Sequence, residues 1–268
     1  KGIPYSRPRK HQGGIHLPIN RTMMNSNQTV EKLRQMRLSA MADLHHQHIG
    51  SNRFADFTAD EYIALLADHE WEDRQHKKMA RLIKKAAFKQ KASVADIDYS
   101  HNRNLDRNMF SRLAGLGFVD KKENIIITGP SGVGKSYLVQ ALGNQACLMG
   151  YRTVYSSTSR LLSKLKLSKA DGTYLRELRK LQNTDVLILD DFGLQAFDAT
   201  AREIVLDIID DRFTEKSTLV SSQLPVSTWY DIIGEGTIAD AILDRLVNSS
   251  HRIDLKGESL RKGILKNE

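Results

Sequence analysis

The chemistry written most plainly in this chain belongs to residues 125–136, Ile-Ile-Ile-Thr-Gly-Pro-Ser-Gly-Val-Gly-Lys-Ser. They fit G-x-x-x-x-G-K-[ST], the pattern of a loop that cradles phosphate. Gly129, Gly132 and Gly134 let the backbone curl around Pro130, Ser131 and Val133, so that successive N–H groups turn inward toward phosphate oxygens. The helix opening at Lys135, Ser136 and Tyr137 puts its positive N-terminal end at the same point. Lys135 brings a full charge to the outer phosphates, and the Ser136 hydroxyl is a ligand for Mg²⁺. The pattern requires a strand before it and a helix after it. The β-branched run 125–127 supplies the first and residues 137–142, Tyr-Leu-Val-Gln-Ala-Leu, the second. An incidental Gly-rich turn would not carry both.

The complementary half of such a site follows downstream. Residues 185–191, Asp-Val-Leu-Ile-Leu-Asp-Asp, read as an apolar strand ending in two acids. Asp190 can hold Mg²⁺, directly or through water, and Asp191 can polarise an attacking water. Alone this run would say little; paired with the loop it points to a nucleoside triphosphate and its hydrolysis. Residues 217–225 read as another core strand with polar side chains at its end. In an open α/β sheet that end faces the ligand. Gln223 there can orient water or touch the terminal phosphate, against the plainer reading of a turn before Pro225.

These groups need a frame. Hydrophobic patterning predicts strands at 152–155 and 251–255 and helices at 159–167, 174–181, 200–213 and 238–247, the last carrying Asp240, Asp244 and Arg245. Alternating strands and helices make residues 99–268 an α/β domain with a parallel sheet flanked by helices. Upstream the pattern is helical, with one helix over 29–48 and another start at Thr58, three residues before Glu61 and just after Phe57. A long helix is expected over about 69–90 and a further one over 101–117. His45, His46 and His48 invite a metal site, but no Cys or carboxylate cluster is placed to complete it. The boundary between a small all-α region, 23–98, and the α/β domain is expected near 95–100. Residues 1–22, with three of the five prolines and no acid, read as a disordered basic tail. Since the first residue is not Met, that tail is as readily upstream or non-native sequence as a nucleic-acid-binding arm.

The net charge is +8 over 268 residues, which suits a polyanionic partner. The first 98 residues hold 17 Lys and Arg against 11 Asp and Glu, and the remainder 23 against 21. The excess therefore sits away from the phosphate loop. From Arg74 to Lys91 there are eight basic residues and no acid, among them Lys77, Lys78, Arg81, Lys84, Lys85 and Lys89. A solvated helix face mixes signs; this one does not, which points to a phosphate backbone, read without sequence preference. The single cysteine, Cys147, rules out a disulfide framework within the chain. No run reaches the length of a membrane span and no signal-peptide core is present. The expected protein is soluble and cytoplasmic, with no membrane partner.

Taken together these motifs resemble the AAA+ ATPases of the initiator and helicase-loader branch. The likeness is strongest to the IstB-type transposition helpers of bacterial insertion sequences, relatives of the helicase loader DnaC. The residues that carry it are the loop 129–136, Leu187-Ile188-Leu189-Asp190-Asp191-Phe192-Gly193, Ser221-Ser222-Gln223-Leu224-Pro225, Gly257-Glu258-Ser259-Leu260-Arg261, and the N-terminal segments 33–41 and 70–74. The resemblance implies ATP and Mg²⁺, double-stranded DNA, head-to-tail homo-oligomers formed on that DNA, and a cognate transposase that the assembly recruits or regulates. It implies that Lys135, Asp191, Gln223 and Arg245 are catalytic, with Arg245 offered to a neighbouring subunit. Arg261 would be a nucleotide contact, and Arg212 and Arg252 other trans contacts. Asp191 and Gln223 depart from the Glu and Asn common in AAA+ proteins, although the Asp-Asp pair resembles that of the IstB-type helpers themselves. Two rivals remain: a DnaC-like loader whose partner is a replicative helicase, and a small-molecule kinase, for which neither an Arg-rich lid nor an acceptor pocket can be named.

Overall fold

The computed structural model describes residues 26–51 and 53–260; the basic tail at 1–22 and Arg261 lie outside the described residues. The described chain divides into two compact units between Arg74 and Gln75. The division falls inside a helix, upstream of the 95–100 boundary that the change in composition suggests.

The first unit holds α1 (Ser26–Gln35), α2 (Ser39–Ser51) and the start of α3 (Ala59–Ala86). One helix was expected over 29–48; there are two. Arg37 adopts a left-handed φ of 61°, and the Leu38 N–H reaches back to the Leu33 carbonyl at 2.9 Å, closing α1 as glycine usually does. Arg74 satisfies the freed Arg37 carbonyl at 2.8 Å and pairs with Glu70 at 2.8 Å. Glu70, almost wholly buried, also accepts the Met41 N–H at 3.1 Å. Arg74 is thus engaged in the packing of this unit. The cap before α3 forms in both directions: the Thr58 N–H donates to Glu61 at 2.8 Å and the Glu61 N–H to the Thr58 hydroxyl at 3.3 Å. The separate helices expected near 58–66 and 69–90 are one continuous α3, which ends at Ala86. His45 is hydrogen-bonded to Tyr62 at 2.9 Å, and among the described residues no group of His, Cys, Asp and Glu is placed to hold a metal.

The second unit begins with the rest of α3. After it come α4 (Arg107–Ala114), α5 (Gly117–Asp120), β1 (Asn124–Thr128), α6 (Lys135–Leu148), β2 (Thr153–Ser157), α7 (Thr158–Ala170), α8 (Tyr174–Gln182), β3 (Val186–Asp190), α9 (Ala199–Arg212), β4 (Ser217–Ser222), α10 (Trp229–Ile233), α11 (Gly236–Val247) and β5 (Ser250–Asp254). The helix expected over 101–117 is shorter. Asp106 caps α4, accepting the Asn108 and Met109 N–H groups, and a left-handed Leu116, φ 60°, separates α5.

Among the described residues the five strands are all parallel, in the order β2-β3-β4-β1-β5. Strands buried on both faces read as unbroken apolar runs, and so they do here. Ile125, Ile127, Val186, Ile188 and Leu219 pack with α4, α5 and α6 on one face. Ile126, Leu187, Leu189 and Val220 pack with α7, α8, α9, α10 and α11 on the other. Cys147 is buried in α6. Parallel register brings the C-terminal ends of β1, β3 and β4 to one edge, the place where such sheets bind ligands.

Candidate functional site

At that edge the loop following β1 curls under tight constraint. Gly132 has φ 84°, and a Cβ there would come 2.0 Å from the Ser259 hydroxyl. Gly129 has φ 143°, and a Cβ would meet the Leu255 carbonyl at 2.4 Å. Only glycine fits either position. The segment after β5 therefore lies directly on the loop, with the Leu260 N–H donating to the Gly132 carbonyl at 3.0 Å. Lys135 opens α6, is almost wholly buried, and its Nζ donates to the Pro130 carbonyl at 2.7 Å.

Asp190 ends β3 one strand beyond β4 and collects hydroxyls. Ser136 Oγ donates to its Oδ1 at 2.9 Å, Ser221 Oγ donates to the same oxygen, and Tyr155 Oη donates to Oδ2 at 2.7 Å. Burial and the adjoining carboxylate push the Tyr155 pKa well above the ordinary tyrosine value. These are hard oxygen donors, the set that Mg²⁺ takes. Two ligands on adjacent corners of an octahedron about 2.1 Å in radius stand about 3 Å apart, which is the Ser136–Asp190 separation. The residues fit the ion.

Asp191 holds a left-handed φ of 56°. Its N–H is bonded to Asp190 at 3.2 Å and to the Ser221 hydroxyl at 3.3 Å. Strain of this kind persists where surrounding bonds fix it. Lys135, Ser136, Asp191 and Gln223, with Ser131, Gly132, Gly134 and Tyr137, line one cleft of about 540 Å³. The same cleft takes in Lys89, Asp98 and Arg103 from the segment before α4. Arg103 is buried, donating to the Val133 carbonyl at 3.1 Å and to the Asp98 carbonyl at 2.8 Å. Its contact with the loop and that of Tyr155 with Asp190 have no motif in the sequence, and the motif that holds Ser221 does not show its bond to Asp190; each depends on which segments become neighbours.

The arginines fall elsewhere. Arg245, at the end of α11, lies by the start of β1, where Asn124 Nδ2 donates to the Arg245 carbonyl at 3.3 Å. This is the opposite edge of the sheet from the cleft. Its guanidinium forms an ion pair with Asp210 at 2.8 Å and lies over the Phe213 ring. Lys121, Lys122, Lys216 and Arg245 line a second cavity there, of about 420 Å³. Arg212 is not available for a trans contact. It is 2% exposed and donates to the Leu181, Thr184 and Ser217 carbonyls and the Thr218 hydroxyl, and burial lowers its pKa to about 9. It is a core residue joining α8, α9 and β4. Arg252 is exposed on β5.

The basic residues of α3 are sorted by the helix. At about 100° per residue, Lys77, Lys78, Arg81, Lys84 and Lys85 fall within a sector of about 120°, with Met79, Leu82, Ile83 and Ala86 opposite. All five bases are exposed, and they form a stripe about 12 Å long at 1.5 Å per residue. Among the described residues no ion pair engages Lys78, Arg81, Lys84 or Lys85. Lys89 lies past the helix end, by the cleft.

A phosphate loop after β1, acids ending β3, and the polar end of β4 between them define a P-loop NTPase of the AAA+ class. Two solved structures share the fold. DnaI superposes with a TM-score of 0.53 at 23% identity, covering 66% of this chain and 93% of that one. The replication initiator DnaA, bound to AMPPCP and single-stranded DNA, does so with a TM-score of 0.54 at 20% identity, covering 68% and 55%. The chain belongs to the IstB-like ATP binding protein family, which it matches over residues 31–267. It is 43% identical to the insertion sequence ATP-binding protein y4pL of Sinorhizobium fredii, over 89% of this chain and 98% of that protein. It is 31% identical to the IS21 ATP-binding protein of Pseudomonas aeruginosa, over 75% and 76%. Among the described residues no helix is long and apolar enough to cross a membrane.

Proposed function

We propose that this IstB-like protein is an ATPase that assembles head to tail on duplex DNA when ATP and Mg²⁺ are bound, and that the assembly recruits or regulates a cognate transposase. The observation that carries this reading is that one compact unit holds both the phosphate loop, with Lys135, Ser136, Asp191 and Gln223 on one cleft, and a one-sided basic stripe. In that unit Lys135 draws charge from the outer phosphates, and the loop N–H groups hold the inner ones. Ser136 and Asp190 hold Mg²⁺, which when bound neutralises charge on the phosphate oxygens. Asp191 accepts the proton of the attacking water, and Gln223 orients that water. Arg245 lies roughly a strand length, about 15 Å, from its own loop, so it serves a neighbour's γ-phosphate and hydrolysis waits on assembly. The 23–98 region, with Lys77, Lys78, Arg81, Lys84 and Lys85, is the DNA-binding part in this reading. The helicase-loader alternative has the fold in its favour and no contact of its own.

Reversing Lys77, Lys78, Arg81, Lys84 and Lys85 to Glu tests the DNA half. Duplex affinity is expected to drop, and the slope of log K against log salt to flatten by about 0.9 for each phosphate that the helix no longer neutralises. An unchanged slope would place the DNA-binding surface off α3.

A further inference from the structure

The segment that follows the basic helix and the beginning of the nucleotide helix share a polar link through a single buried side chain. α3 stops at Ala86, and Ala87, with a left-handed φ of 58°, turns the chain back. The residues that follow are fastened to α6 at two points. The Phe88 ring presses on Gly143, where a Cβ would come within 2.9 Å of the ring. Gln140, 1% exposed, makes the polar attachment. Its Oε1 accepts the Lys89 N–H at 2.8 Å and the Gln90 N–H at 3.2 Å, and its Nε2 donates to the Ser136 carbonyl at 2.8 Å. Ser136 is the residue whose hydroxyl meets Asp190. One buried amide therefore touches the Mg²⁺-side residue of the loop with one end and, with the other, the segment that turns back just after the basic helix.

We infer that Gln140 couples nucleotide binding to duplex binding, acting as a positioning residue between them. The inference rests on the reading that the loop binds ATP and the stripe on α3 binds DNA. Phosphate at the N-terminus of α6 orders the first turn that includes Ser136, and the Ser136 carbonyl sets the plane of the Gln140 amide. That plane fixes where Lys89 and Gln90, and so the end of α3, are held. Inside a protein an amide with all its partners resists reorientation, since any other placement leaves buried N–H groups unpaired. A ligand that favours one arrangement at either end favours it at the other, and the coupling is the same in both directions.

Two substitutions test the link. Gln140→Leu removes both attachments, leaving the Lys89 and Gln90 N–H groups without their acceptor and the Ser136 carbonyl without its side-chain donor. Gln140→Glu keeps an acceptor for both and, at a pH where its carboxylate is ionised, sets an oxygen without a proton against the Ser136 carbonyl in place of the donor, so it cuts the nucleotide-side link alone. The experiment measures anisotropy of a labelled duplex with and without the β,γ-methylene analogue of ATP and Mg²⁺. It also measures affinity for the analogue with and without duplex. In the wild type each ligand is expected to tighten the other by about tenfold. In both variants that factor is expected to fall to within about twofold of unity, with analogue affinity in the absence of DNA changed by less than about threefold. Full coupling in the variants overturns the inference and leaves the ATP and DNA reading intact. A wild type without coupling overturns that reading, and the inference with it. Should Gln140→Leu fail to fold, Gln140→Glu decides alone.

Discussion

Lys135→Ala is expected to weaken ATP binding by about a hundredfold, measured with a fluorescent ATP analogue, while the melting temperature stays near that of the wild type. Lys135 is buried in the loop, with its ammonium held at 2.7 Å from the Pro130 carbonyl. Removing one partner of a largely desolvated charge pair costs about 2–5 kcal/mol, much of it from the charge left unanswered, and a hundredfold corresponds to about 2.7 kcal/mol. The backbone N–H groups of the loop and the N-terminus of α6 remain, so binding is weakened rather than erased. Affinity within about threefold of wild type would show that the outer phosphates are not answered by Lys135.

Arg245→Ala is expected to lower hydrolysis by the assembled protein about a thousandfold, the low end for an arginine supplied in trans, and to leave ATP affinity of the free chain unchanged. The position of Arg245 at the starting edge of the sheet denies it to its own cleft. Its ion pair with Asp210 joins two partly exposed side chains, an interaction worth at most about 1 kcal/mol, so releasing the guanidinium to a neighbour costs little. Mixing tests the geometry. Lys135→Ala subunits keep the finger and lose the site; Arg245→Ala subunits keep the site and lose the finger. Partial recovery of hydrolysis in the mixture is the expected result. Full activity of Arg245→Ala alone would assign the finger elsewhere, and Arg212, held by four hydrogen bonds in the core, is not a candidate.

What was legible in the sequence followed from local rules. Parallel strands buried on both faces show as apolar runs, so β1, β3 and β4 stood out, and the loop pattern fixed the edge of the sheet where ligand binds. What was illegible was set by tertiary neighbours. Arg37 ends α1 in a left-handed turn because Arg74, thirty-seven residues on, takes its carbonyl; a helix-break rule built on Gly and Pro has no sign of it. The one-helix reading of 29–48 failed there. Arg212 reads like any arginine closing an amphipathic helix, and only the packing of α8 and β4 around it makes it a core residue. Tyr155, Arg103 and Gln140 lie outside every motif, and Ser221, inside one, gives no sign there of its bond to Asp190, since these roles depend on the order β2-β3-β4-β1-β5 and on the segment after α3 folding back on α6. Arg261 lies outside the described residues, and its role remains the one the family resemblance implies.

Nucleotide and duplex together drive assembly in the proposed function. Sedimentation velocity of the purified chain with duplex DNA, with and without ATP and Mg²⁺, tests this most directly. A large complex is expected only when both ligands are present. A monomer or dimer that sediments the same with and without DNA, ATP or both would contradict the proposal and turn the search toward a protein partner, as a helicase loader requires.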